Sequence, residues 1–353
     1  MNPHIIPHTH TILQALEMLN ALSGGVMTLF VTDDAGHMVG SLTDGDIRRG
    51  LLCGYQPSDN VQGVMHRNFS ALTGPNVDVE QLRAIRARGV RLVPVLDNEG
   101  SILRIIDTSI TQSALPISAI LMAGGKGERL RPLTLSTPKP LLEVGGMPII
   151  DHNIHALARV GVTNIFVTVN YLADMMEEHF ARPVAGVNVT CIHEPKPLGT
   201  IGSAKLAPIP EQGATVVMNS DLLTDISLEE MYLSHISKHA DITIAAIPYN
   251  VSVPYAILST DGSNVTALEE KPSYAFYANA GIYMVNNELI HDLPDNTRTD
   301  ATDLIEQTIT NGGKVTYFPI SGTWIDIGSP ADYQHACELA AHRIGFNNEQ
   351  TNS

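Results

Sequence analysis

The sequence is poor in cysteine: Cys53, Cys191 and Cys337 are the only three in 353 residues. An odd number without short spacing fits neither a disulfide framework nor a zinc site, so all three are expected to be reduced. No run approaches the roughly 20 consecutive apolar residues that a bilayer span needs. The opening MNPHIIPHTH lacks the basic start and apolar core of a secretory leader. A cytoplasmic chain without membrane contact is the expectation. Positive charge is scarce as well, with 21 Lys and Arg against 37 Asp and Glu and a net charge of −16. That balance predicts no nucleic-acid partner. Any phosphate site must therefore be a local concentration of cations.

What is present is a globular composition, 44% apolar and 16% charged, which sets the disordered and low-complexity classes aside. The length predicts two domains. The charge is unevenly placed. Residues 1–115 hold 8 Arg, no Lys and 11 acids, for a net of −3, and the remainder carries −13. The seam falls in TQSALPIS, residues 111–118, just before an apolar segment.

In the first half, Ile12, Leu13, Leu16, Met18, Leu19 and Leu22 stand near helical spacing, and residues 26–32 read as a buried strand. A turn at residues 33–36 leads to a second strand ending at Leu42. The pattern returns as helix VEQLRAIRARG, strand 91–96, turn 97–100 and strand 101–106. Helix, strand, turn, strand occurs twice, an internal repeat, with repeats at about 1–62 and 63–113. The flanking prolines of His4, His8 and His10 favour a mobile start over a metal site.

The second half alternates strands at 117–122, 164–170, 189–193, 214–218 and 240–246 with helices at 149–160, 172–180 and 227–238. This is a βαβ pattern, which predicts an α/β fold with a mainly parallel, Rossmann-like sheet and helices on both faces. Residues 117–345 are assigned to it, and 346–353 to a flexible tail. Ligands in such sheets bind beyond the carboxyl ends of strands.

The strongest local signal is ISAILMAGGKGERLRPLT. An apolar strand runs into Gly124, Gly125 and Gly127, interleaved with Lys126, Arg129 and Arg131. Glycines admit backbone N–H groups to an anion, and arginines add charge-assisted bonds. Neither the P-loop nor the dinucleotide fingerprint fits, because Leu130 stands where the latter needs a small residue. A plain turn with surface arginines is the alternative, and three cations in a −13 domain weigh against it. Downstream, Lys139 is held between Pro138 and Pro140. Asp221 and Asp326 each end an apolar strand. Paired carboxylates at strand ends suit a hard cation such as Mg²⁺ that bridges phosphates, although a lone strand-end Asp is more often a turn or capping residue.

Gly124 to Thr134 and Pro138 to Leu141 resemble, at the same spacing, the signature of the sugar-phosphate nucleotidyltransferases, GGxGxRLxPLT followed by PKPL. The resemblance extends from about Ile117 to Ala341. It implies the reaction of a nucleoside triphosphate with a sugar 1-phosphate to give a nucleotide sugar and pyrophosphate. In that reading Arg129, Lys139, Asp221 and Asp326 are catalytic, and the two aspartates hold Mg²⁺. Gly124, Gly125 and Gly127 cradle the nucleotide, and Glu194 and Gly199 stand at the base-discriminating positions. A carboxylate accepts two hydrogen bonds at once, which matches the N1–H and N2–H donors of guanine. GTP is favoured, with mannose-1-phosphate guanylyltransferases the most similar subgroup. Uridylyl or thymidylyl transfer is the alternative, and an inactive nucleotide sensor the rival of another class. Glu270, Lys271, Asn279 and Gly281 stand at sugar-phosphate positions, while Ala256 replaces a frequent glycine. No covalent nucleophile is implied, and the cysteines are expected to be buried apolar fillers.

VGSLTDGDIRRGLL resembles the hallmark of CBS domains, in which Thr43 and Asp46 would grip the ribose and phosphate of an adenine nucleotide. The second repeat has Asp107 and Ile110 at the matching places. A tandem CBS (α+β) pair over residues 1–113 is therefore expected, as a regulatory or dimerisation module. The family arrangement is associated with bacterial surface polysaccharide biosynthesis, and a homo-oligomer is expected.

Overall fold

A computed structural model of the chain describes residues 2–74 and 77–350, the last nine as backbone only. It divides into two compact units, Met1–Pro116 and Ile117–Ser353.

The first unit opens with β1 (Ile5–Pro7), α1 (Ile12–Ala21), β2 (Thr28–Thr32), β3 (Met38–Thr43) and α2 (Asp44–Leu52). The sheet order is β1-β2-β3. Thr11 and Gln14 close a capping box on α1, and Thr43 and Asp46 do the same for α2, each satisfying two otherwise orphaned N–H groups. The second repeat gives β4 (Leu72–Thr73), α3 (Val79–Ala87), β5 (Leu92–Leu96) and β6 (Ile102–Asp107), in the order β4-β5-β6. It has no counterpart of α2, for the chain turns at residues 108–110. Each repeat has its own core, Ile6, Leu19, Val31 and Leu42 in one and Leu72, Leu82, Val93 and Ile106 in the other. Phe30, Met38 and Leu92 join them.

The expected mobile start is not observed. Ile6 is fully buried, and β1 pairs in parallel with β2. The rings of His4 and His8 bond to the carbonyls of Thr28 at 2.8 Å and Thr32 at 3.2 Å. Two adjacent isoleucines with an open strand edge beside them gain more from pairing than the flanking prolines, tolerated at strand ends, take away.

The second unit begins with β7 (Ile117–Met122), a short hairpin of β8 (Glu143–Val144) and β9 (Met147–Pro148), α4 (Ile149–Arg159), β10 (Asn164–Val169), α5 (Ala173–Phe180) and β11 (Val189–His193). It continues through β12 (Ala214–Asn219), β13 (Leu222–Thr224), α6 (Leu228–Ser237), β14 (Ile242–Ser252), β15 (Ile257–Asp261), β16 (Asn264–Glu269) and β17 (Ser273–Asn286). It closes with α7 (Asn287–His291), α8 (Ala301–Thr310), β18 (Val315–Pro319), β19 (Trp324–Asp326) and α9 (Pro330–Gln350). Seven strands form the central sheet in the order β11-β10-β7-β12-β17-β14-β18, in which β17 alone is antiparallel to its neighbours. The chain winds from β7 toward β11 and then returns to place β12 on the other side of β7. The crevice beyond the carboxyl ends of β7 and β12 is thus a topological switch point.

Helix α9 runs to Gln350, so the tail expected from 346 starts inside a helix, and residues 351–353 lie outside the described residues. The expectation of buried cysteines also fails in part. Cys53 is exposed just beyond α2, and Cys191 and Cys337 are half-buried. Burial and the charge of Glu177 push the Cys191 thiol up to about 11.

Candidate active site

Beyond β7 the chain enters its glycine loop, where Gly127 is left-handed at φ 59° and ψ 34°. A Cβ there would stand 3.0 Å from Thr134 Cγ2 and Lys139 Cβ, so both conformation and space require glycine. Buried Thr134 donates its hydroxyl to the Gly127 carbonyl at 2.8 Å. A 3-10 turn at Glu128–Leu130 follows, presenting Arg129 with its guanidinium against Gly328, whose added Cβ would meet Nη2 at 3.2 Å.

Asp221 and Asp326 are 105 residues apart and meet because β13 pairs antiparallel with β19, Leu222 opposite Asp326. The Ile327 N–H donates to the Asp221 carbonyl at 3.2 Å. From the far side, buried Asn153 on α4 donates to the Leu222 carbonyl at 2.9 Å. Ser220 hooks the end of β12 to that of β7 through a 2.7 Å bond to the Met122 carbonyl. Lys139, 9% exposed, makes an ion pair with Asp221 Oδ2. The other oxygen, Oδ1, is buried and accepts no hydrogen bond. Burial and then the Asp221 charge raise the Asp326 pKa, while Lys139 and Arg129 pull it down. A cleft of about 370 Å³ is lined by Gly125, Gly127, Arg129, Lys139, Ser220 and Asp221, among others. Two neighbouring carboxylates, one with an unpartnered buried oxygen, fit a hard divalent cation, which prefers oxygen ligands. Among the described residues, no group of three or more His, Cys, Asp or Glu could hold a metal alone.

Glu194 follows β11. Its N–H donates to the Val169 carbonyl at 2.9 Å, and its Oε2 accepts from the Leu198 N–H at 3.3 Å. A Cβ on Gly124 would fall 2.7 Å from Glu194 Oε1, so the carboxylate and the loop share one corner. Gly199 is closely packed. At φ +83°, its added Cβ would lie 2.4 Å from the Thr299 carbonyl oxygen, which also accepts the N–H groups of Ile201 and Gly202.

The sugar-phosphate positions are set differently. Gly281 is at φ +72°, with its Cβ position 2.6 Å from Asn219 Nδ2, two residues before Asp221. Here β17 slips its register against β14. Asn279 spans the bulge, accepting the Gly281 N–H at 3.0 Å and donating to the Tyr283 hydroxyl at 2.9 Å. Glu270 and Lys271 lie on the exposed link between β16 and β17, outside the lining of the cleft. The sole tryptophan, Trp324, donates its indole N–H to the Ala280 carbonyl at 2.9 Å, tying β19 to the bulge. Sequence reasoning missed Trp324, Ser220, Asn153 and Gly328. Trp324 could have been found, for it stands two residues before Asp326. In the first unit, Thr43 and Asp46 are engaged with each other at 2.6 Å, and Asp46 with Arg49 at 2.6 Å.

Fold and site together set a glycine loop, two cationic side chains and two aspartates at the carboxyl edge of an open α/β sheet. Residues 118–343 match the family model described as nucleotidyl transferase, and the chain belongs to that family. Residues 1–52, the first repeat, match the model of the CBS domain. The chain is 34% identical over 238 residues to a mannose-1-phosphate guanyltransferase of Saccharomyces cerevisiae, covering 62% of this chain and 63% of that one. It is 30% identical over 226 residues to mannose-1-phosphate guanyltransferase beta-A of Xenopus laevis, covering 62% of each. It thus spans less than two thirds of the length of these relatives. Among solved structures it resembles HddC from Yersinia pseudotuberculosis complexed with GMP-PN, at 26% identity and a TM-score of 0.50, over 63% of this chain and 99% of that one. No helix among the described residues is long and apolar enough to cross a membrane.

Proposed function

We propose that the protein transfers a guanylyl group from GTP to a sugar 1-phosphate, with mannose 1-phosphate the first candidate acceptor, and releases pyrophosphate. The observation that carries this reading is the meeting of Asp221, Asp326, Lys139 and Arg129, three of which, Asp221, Lys139 and Arg129, line the cleft at the glycine loop, with a buried carboxylate oxygen left unpartnered. The names of the relatives and the guanosine-type ligand of the solved neighbour support the base.

A phosphate oxygen of the sugar 1-phosphate attacks the α-phosphorus in line. The new P–O bond forms as the bond between the α-phosphorus and the bridging oxygen breaks, and pyrophosphate leaves with that electron pair. Loop N–H groups hold the nucleotide phosphates, Arg129 stabilises charge on the departing pyrophosphate, and Lys139 turns from Asp221 to the phosphates. Catalysis is positioning and charge neutralisation, with no covalent intermediate. Asp221 and Asp326 would hold Mg²⁺, which supplies charge neutralisation at the phosphate oxygens. Glu194 accepts the paired donors of guanine. Lys271 neutralises the sugar phosphate, with Glu270, Asn279 and Gly281 about the sugar.

In the N-terminal unit, the mutual engagement of Thr43 and Asp46 supports a dimerisation module more than a nucleotide grip. Calorimetry with AMP and ATP on the full chain tests that choice, with heat of binding contradicting it. For the reaction, an Asp221→Ala, Asp326→Ala double variant is expected to lose about 10³-fold or more in turnover. Undiminished turnover overturns the assignment.

A further inference from the structure

The turn after β10 carries three residues, Asn170, Tyr171 and Leu172, for which the chemistry above has no use. Asn170 donates from Nδ2 to the Glu194 carbonyl at 3.1 Å, while the Glu194 N–H donates to the carbonyl of the preceding residue, Val169. Consecutive residues thus hold both backbone groups of Glu194. Tyr171 reaches the other way, its hydroxyl 3.1 Å from the Thr134 carbonyl and 3.4 Å from that of Leu135. Thr134 is in turn bonded to Gly127. Leu172 is left-handed at φ 51° and ψ 41°, a conformation costly for a residue with a Cβ. Such strain persists where the surroundings over-determine it, and it clusters at functional sites. Topology explains the arrangement, because β10 lies between β11, which leads to Glu194, and β7, which leads to the glycine loop.

We propose that Asn170 and Tyr171 are positioning residues, a strut that fixes the Glu194 carboxylate against the base edge and sets its distance from the phosphate loop. The proposal rests on the reading of Glu194 as the base-reading group. Asn170 acts on base discrimination, because it holds the backbone from which that carboxylate projects. Tyr171 acts on the phosphates of any base, because it holds the loop through Thr134. Neither touches substrate.

The test is steady-state kinetics of the full chain with GTP and with ITP, which keeps N1–H and lacks the 2-amino donor. The variants are Asn170→Ala, Tyr171→Phe, Glu194→Gln and Asn170→Ala with Glu194→Gln. Asn170→Ala is expected to cut the preference for GTP over ITP about tenfold, and to add nothing in the Glu194→Gln background. Tyr171→Phe, which keeps the ring, is expected to raise KM for both nucleotides by a common factor of about three to five. KM for the sugar phosphate stays unchanged in both single variants. An unaltered preference in Asn170→Ala, an effect that adds in full to that of Glu194→Gln, or an equal rise in KM for the sugar phosphate overturns the proposal. Where Glu194→Gln itself leaves the preference unchanged, the base reading fails and the strut with it. Where only Asn170→Ala leaves it unchanged, the strut alone fails.

Discussion

The nucleotide and sugar walls of the proposed site are built by different means, and of the two only the first lines the cleft between the glycine loop and Asp221. The nucleotide wall stands on the ends of β7, β10 and β12, strands buried along most of their length, and of the more open edge strand β11, and its groups are tied crosswise by Thr134, Ser220, Asn153 and the pairing of β13 with β19. The sugar wall hangs on the far halves of β14 and β17, where residues 248–252 and 273–277 are exposed on both faces, and on the exposed hairpin of β15 and β16. Part of this wall is still held, because the bulge at Gly281 is gripped by Asn219, Asn279 and Trp324. The difference teaches that, in the proposed reaction, the charges about the phosphorus are preorganised, while the groups assigned to the acceptor are carried on an exposed ribbon.

Substitutions on either wall sharpen that contrast, beginning with the most damaging. Lys139→Met leaves the half-buried Asp221 without its cation and removes a charge from the phosphates. Turnover with GTP is expected to fall about 10²- to 10³-fold, whereas Lys271→Met on the exposed link raises KM for the sugar phosphate with a far smaller loss in kcat. Equal losses in kcat would break the comparison. Gly281→Ala forces a Cβ toward Asn219 Nδ2 at positive φ. A rise of about tenfold in KM for the sugar phosphate, with KM for GTP unchanged, is the expected kinetic signature, alongside a loss of stability of about 1–2 kcal/mol.

Phe276→Ser on the ribbon, by contrast, removes an exposed ring and is expected to shift unfolding free energy by less than about 0.5 kcal/mol in denaturant titration. The smallest effect concerns pH. His235 is buried between the Thr243 hydroxyl at 2.9 Å and Asn286 Oδ1 at 3.0 Å, and burial lowers its pKa from the ordinary 6.5 against the opposing charge of Asp241. The unfolded chain takes up that proton near pH 6.5 and the folded chain only at lower pH, so this contribution is intact above 6.5 and is lost as pH falls through it. Thermal unfolding of His235→Gln is expected to show a shallower fall between pH 7 and 5 than the parent. Parallel curves contradict the buried neutral imidazole.

The nucleotide wall was legible in the sequence because its groups sit in short motifs at the ends of uniformly apolar strands. ISAILM runs straight into GGKG, and VVMN into Asp221. What brings Asp221 to Asp326 was not legible, since β13 and β19 have three residues each and no periodicity betrays so short a pairing. Strand β17 carries a weak sequence signal for a similar reason. Its first half, SYAFYA, is exposed on both faces, so the alternation that marks a half-buried strand is missing. At the start of the chain the prolines do not oppose pairing, because Pro7 is the last residue of β1 and Pro3 lies before the strand begins.

Pyrophosphate release with GTP, UTP, dTTP, CTP and ATP, each against mannose, glucose and glucosamine 1-phosphates in the presence of Mg²⁺, tests the central claim most directly. Turnover with GTP and one of these acceptors, at least tenfold above every other nucleotide, is the predicted result. Preferred use of UTP or dTTP, or silence across the whole panel, contradicts it.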